Sequence, residues 1–251
     1  MPKRTKLIAG NWKMNGTRGA GAGFVAKLGS LKPGPRPGRK LLVCPPATLI
    51  PLVVEALGEF DVATGGQDCH AEQKGAFTGD VSAEMLADLG CRYVIVGHSE
   101  RRAMHHETDM AVHAKAKAAL AAGLIPIICV GETWPERESG QAEKVVHAQI
   151  LGSVPEGIEP ANLVIAYEPV WAIGTGKTPT IADIDQIHGV IRKVLGEKTQ
   201  APDHALILYG GSVKPSNSAE ILALEGVDGA LIGGASLDAA DFMAIADSVP
   251  T

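Results

Sequence analysis

A chain of 251 residues with 45% hydrophobic but only 4% aromatic residues can bury a large core of Val, Ile, Leu and Ala, as one big domain or two small ones. A net charge of −5 and a pI near 5.9 argue against nucleic acid or an anionic membrane surface as the main partner. The four cysteines, Cys44, Cys69, Cys91 and Cys129, lie more than twenty residues apart with no C-x-x-C pair, so they read as reduced core thiols rather than metal ligands.

Lys3, Arg4 and Lys6 open the chain, and the apolar segment behind them, 7–9, is too short for a signal peptide or a membrane span. A cytoplasmic protein is expected. Short apolar runs then recur at 7–10, 41–44, 61–64, 93–96, 125–130, 163–167, 205–209 and 229–232, eight in all. Between them lie segments long enough for helices. The first crossover is the weakest, because Gly19, Gly21 and Gly23 lower its helix propensity. The turn-rich 32–39 is a connector and not a domain boundary. Ser82 can cap a helix over 83–89, Thr108 one over 110–122, and Thr180 with Asp183 makes a capping-box start for a helix to about Lys198. Gly90 and Gly123 are the matching stops.

Eight strand-then-helix units over this length fit a (β/α)8 barrel, one domain spanning residues 1–251. A doubly wound open sheet would usually carry G-x-G-x-x-G after its first strand, where this chain has Asn11-Trp12-Lys13-Met14-Asn15. Barrel chemistry sits at the carboxyl ends of strands. Asn11 and Lys13 follow the first strand, and Gly97-His98-Ser99-Glu100-Arg101-Arg102 follows the fourth. Gly210-Gly211-Ser212-Val213 follows the seventh, and Gly233-Gly234-Ala235-Ser236 the eighth.

The sixth strand ends in a carboxylate, Glu168, with Pro169 blocking further ladder pairing. From Val170 the chain is apolar and closes on Gly174-Thr175-Gly176. Read alone, this is either the start of a surface loop or a base beneath a lid, with glycine N–H groups at its tip able to meet an anion. The other seven histidines, His70, His105, His106, His113, His147, His188 and His204, read as surface or interface positions.

Five segments in order, 9–15, 96–102, 163–177, 209–213 and 232–237, together resemble the triosephosphate isomerase family over nearly the whole chain. The resemblance implies a TIM-barrel isomerase that interconverts dihydroxyacetone phosphate and D-glyceraldehyde 3-phosphate through an enediolate, with no cofactor and no metal. It implies Glu168 as general base, a neutral His98 as proton donor and Lys13 as the positive charge facing the oxyanion and phosphate. Asn11 would bond a substrate oxygen or brace its loop. Ser212, Gly233, Gly234 and, at the tip of a lid running from Val170 to Gly176, Gly174 would hold the phosphate. Glu100 is expected beside Lys13.

The long segment from Gln67 to Asp80 reads as a functional loop, and the resemblance implies that it inserts into a second subunit, a homodimer in which Thr78 reaches the partner subunit's Asn11 and Lys13. A metal-dependent phosphate-binding epimerase would set metal ligands on several strand ends, whereas His98 stands alone on this rim. A non-catalytic scaffold would be expected to lack Lys13, His98 or Glu168.

Overall fold

Strands form here because each apolar run faces an apolar surface on both sides. The computed structural model describes residues 4–172 and 177–250. In it β1 (Lys6–Asn11), β2 (Arg39–Cys44), β3 (Val62–Gly66), β4 (Tyr93–Val96), β5 (Ile125–Val130), β6 (Val164–Tyr167), β7 (Leu206–Tyr209) and β8 (Gly229–Ile232) close into a barrel in sequence order. All pairings are parallel, and β1 closes the ring with Ile8 opposite Leu41 on one side and Ala230 on the other.

Successive residues alternate faces. Leu7, Ala9, Leu42, Ile95, Ile127, Cys129, Val164, Ala166, Leu208 and Leu231 form one cluster inside the barrel. Ile8, Leu41, Val43, Val94, Ile128, Ile165 and Ile207 join a second cluster that includes the buried helix faces. With both faces covered, the strands read as unbroken apolar runs.

The helices are α1 (Arg18–Ser30), α2 (Ile50–Leu57), α3 (Ala83–Asp88), α4 (Ser99–Met104), α5 (Asp109–Ala121), α6 (Trp134–Glu138), α7 (Ala142–Ser153), α8 (Ile181–Lys198), α9 (Ser218–Ala223) and α10 (Ala239–Asp247). Ser82 and Thr108 cap α3 and α5 as expected, and Thr180 and Asp183 close a reciprocal capping box on α8. Each such cap is worth about 1 kcal/mol. The glycine-rich first crossover is also a helix. Thr17 caps it, Phe24, Val25 and Leu28 bury its inner face, and Gly19 and Gly23 look onto open space.

Three expectations are corrected. β3 begins at Val62, because Asp61 takes a left-handed φ of 56° that cannot pair in a strand. The eighth strand leads first into a one-turn 3-10 segment, Gly234–Leu237, and Asp238 then caps α10. His188 is fully buried, not at a surface: it shares the inward stripe of α8 with Ile184, Ile187 and Ile191 and packs against Tyr167 and Tyr209. Among the described residues no helix is long and apolar enough to cross a membrane.

Candidate active site

The first strand delivers Asn11 and Lys13 to the rim. Asn11 is 5% exposed, and its Oδ1 accepts the Lys13 N–H at 2.9 Å. Lys13 has a left-handed φ of 53°, a conformation that costs a non-glycine residue about 1–2 kcal/mol. The strain is held from both sides, because Gln67 Nε2 also donates to the Lys13 carbonyl at 2.9 Å and to the Cys44 carbonyl at 2.9 Å. Asn11 is therefore a brace for this turn. The Lys13 ammonium meets Glu100 Oε1 at 2.5 Å, the pairing expected for Glu100.

The fourth strand ends at Val96, and after Gly97 His98 caps α4 with its own ring: Nδ1 accepts the Glu100 N–H at 3.2 Å. With an N–H aimed at Nδ1, the ring proton belongs on Nε2. Nε2 lies 2.9 Å from Glu168 Oε1, so it donates to that carboxylate. Glu168 is 2% exposed and also accepts from Ser99 N–H at 2.9 Å and Ser99 Oγ at 3.1 Å. Burial pushes its pKa up, but the facing His98 ring and the Ser99 donors outweigh it, so the carboxyl is held below its ordinary value. In this conformation Glu168 is an ionised, parked carboxylate.

Two glycines let Glu168 sit so close to its neighbours. A Cβ at Gly131 would fall 1.7 Å from the Glu168 carbonyl oxygen, and one at Gly210 would fall 3.0 Å from Glu168 Cγ. Asn11, Lys13, His98, Glu168, Ser212, Gly233 and Gly234 line one cavity of about 730 Å³. Lys13 reaches across it: a Cβ on Gly233 would lie 3.6 Å from Lys13 Cε. Of the expected lid, Val170–Ala172 forms a short 3-10 turn, whereas Gly174 and the rest of the tip lie outside the described residues. A separate cavity of about 700 Å³ lies between α7 and α8, lined by Lys144, His147 and Gln186 among others, and no strand end reaches it.

Sequence reasoning missed Ser99 as the seat of Glu168, and it missed the exit of β5 altogether. There Glu132, fully buried, accepts from Tyr167 OH at 3.1 Å and Trp171 Nε1 at 2.8 Å, and pairs with Arg137 at 3.1 Å. Glu132 follows β5 as Glu168 follows β6, so the strand-end rule applied to every strand would have found it.

A family model described as triosephosphate isomerase matches residues 6–249. The chain is 59% identical to a triosephosphate isomerase of Afipia carboxidovorans with both chains fully covered, and 54% identical to one from a Chelativorans species over 99% of this chain and 98% of that one. The crystal structure of triosephosphate isomerase from Bartonella henselae superposes with a TM-score of 0.89 at 44% identity, covering 97% of this chain and 98% of that one. With matching fold, length and sequence, the chain belongs to the triosephosphate isomerase family, enzymes that interconvert dihydroxyacetone phosphate and glyceraldehyde 3-phosphate.

Proposed function

We propose that Glu168, His98 and Lys13 divide the isomerisation among themselves, and the observation that carries this is their meeting at one cavity. Moving a proton between adjacent carbons needs a base at carbon, a donor at oxygen and positive charge near the developing enediolate. Glu168 takes the carbon-bound proton and returns it to the neighbouring carbon. His98 Nε2–H gives its proton to one substrate oxygen and recovers one from the other, which a neutral ring can do in both directions. Lys13 stabilises the oxyanion and the phosphate, an electrostatic contribution that grows as water leaves the site.

For Glu168 to act, it must leave Ser99 and His98. Those donors lower its pKa, so releasing them while it stays buried raises its basicity. Closure of a lid from Val170 to Gly176 would keep water from the enediolate. Ser212, Gly233 and Gly234 would hold the phosphate beside Lys13, with Gly174 completing the cradle. The cavity at about 730 Å³ leaves ample room for a three-carbon monophosphate.

A homodimer through the loop from Gln67 to Asp80 goes with this reading. Phe77, 42% exposed, stacks on His70 with ring centroids 4.0 Å apart, and Met14 near the site is 96% exposed. Apolar groups held out in this way suit a protein partner, here a second copy with Thr78 directed at its Lys13 loop. Four buried free cysteines support a reducing cytoplasmic compartment.

The test is a coupled assay with dihydroxyacetone phosphate and glyceraldehyde 3-phosphate. Glu168→Gln is expected to lower kcat by at least about 10²–10⁴-fold, the contribution of a positioned base, with little change in Tm. Wild-type turnover in that variant would remove Glu168 from the mechanism.

A further inference from the structure

We infer that Gln149, on α7 and not among the residues lining the cavity of about 730 Å³, is a positioning residue that sets where Glu168 stands. Its carboxamide grips Gly131 twice: Oε1 accepts the Gly131 N–H at 2.7 Å, and Nε2 donates to the Gly131 carbonyl at 3.1 Å. These two groups belong to the peptide units on either side of the Gly131 Cα, so one rigid amide fixes both of its backbone torsions. The pin matters because only glycine fits beside the Glu168 carbonyl, and glycine is the residue least able to hold its own conformation.

The backbone around Gly131 carries the Glu168 segment directly. Glu168 N–H donates to the Val130 carbonyl at 2.8 Å, and Val170 N–H to the Glu132 carbonyl at 3.2 Å. A turn of the Gly131 peptides therefore moves Glu168 and the root of the segment that follows it. Gly131, Gln149, Glu168 and Ser99 also line a second cavity of about 240 Å³. Removing the carboxamide leaves room for the loop to relax and for the carboxylate to drift from the reacting carbon.

This inference rests on the assignment of Glu168 as the base, so the experiment measures Gln149→Leu, Gln149→Glu and Glu168→Gln side by side. Gln149→Leu is expected to lower kcat by about 10- to 100-fold, as a misplaced catalytic group does, with KM within twofold. Gln149→Glu keeps an acceptor for the Gly131 N–H but sets a charged oxygen against the Gly131 carbonyl. Protonation restores the lost donor, so its kcat relative to wild type is expected to rise as pH falls from 8 to 5.5. Glu136, Arg102 and Glu168 also line that second cavity, and the ratio removes what they contribute to both proteins.

Loss of activity in Glu168→Gln, with both Gln149 variants folded and within twofold of wild-type kcat, overturns the positioning role alone. Retained activity in Glu168→Gln overturns the assignment of the base, and the inference with it. A Gln149→Leu protein that does not fold leaves the decision to Gln149→Glu, where a pH-independent ratio is the contradicting result.

Discussion

An ionised carboxylate taken out of water is costly unless donors meet it, and Glu168 at 2% exposure meets three. Those donors come from His98 and Ser99, successive residues at the start of α4, so a single turn supplies the seat of this carboxylate and the ring that faces it. His188 shows the opposite solution to burial. Its Nδ1 donates to the Gly226 carbonyl at 3.0 Å, Nε2 has no hydrogen-bond partner among the described residues, and burial lowers its pKa to about 4 from 6.5.

The sign of the His188 effect follows from linkage. Between pH 6.5 and 4 the unfolded chain binds a proton that the folded ring refuses, so stability falls as pH drops through that window. A shift of this size amounts to about 3 kcal/mol. Thermal unfolding measured across the window is expected to be less pH-dependent in His188→Gln, whose amide can still reach Gly226; an unchanged slope would contradict the buried neutral ring. Asp185, Asp228 and Arg192 face His188 and remain in the variant, as do the Tyr167 and Tyr209 rings packed on it. The burial of His188 was legible as a place on the Ile184–Ile187–Ile191 stripe, but residue type alone pointed outward. The left-handed Lys13 was not legible, because lysine does not mark such turns; its N–H donating to Asn11 and its carbonyl accepting from Gln67, distant in sequence, hold it there.

At the scale of elements, caps and strand runs were the most readable features. Thr108, Thr180 and Ser82 stand where local hydrogen bonding alone demands them, so their helices start as expected. The β5–α6 turn was not readable, since its importance comes from what β6 presses against it. Glu132 ties that turn to Tyr167, Trp171 and Arg137. Glu132→Leu removes the acceptor that Tyr167 and Trp171 share and one of the two carboxylates that pair with Arg137, Asp183 keeping the other, and is expected to cost about 1–3 kcal/mol, whereas Glu132→Gln keeps an acceptor and costs less. Chemical denaturation compares them, and equal losses would argue against the pairing. Ser99 escaped notice for a related reason: its role depends on which way Glu168 points from β6, two strands away.

The whole molecule places one chain's active-site rim next to an outward loop. Gln67 braces Lys13 from the start of that loop, and Phe77 and His70 stack further along it. The proposed dimer therefore ties assembly to the site. Sedimentation velocity is expected to give twice the chain mass for the wild type and a shift toward monomer for Phe77→Asp, with a parallel loss of turnover; a monomeric, fully active wild type would refute that coupling. The barrel itself was visible from eight apolar runs with segments long enough for helices between them, because closure needs only strands and crossovers. The parking of Glu168 against His98 and Ser99 was not, because it depends on one side-chain rotamer.

The most direct measurement is a crystal structure with dihydroxyacetone phosphate or an unreactive three-carbon phosphate bound. The ligand is expected in the cavity shared by Lys13, His98 and Glu168, with its phosphate against Ser212, Gly233 and Gly234. Glu168 should have moved from Ser99 to a carbon-bound hydrogen, and His98 Nε2 should lie within hydrogen-bond reach of both ligand oxygens. A ligand seated between α7 and α8, or one in the cavity with Glu168 still held on Ser99 and out of reach of carbon, would contradict it.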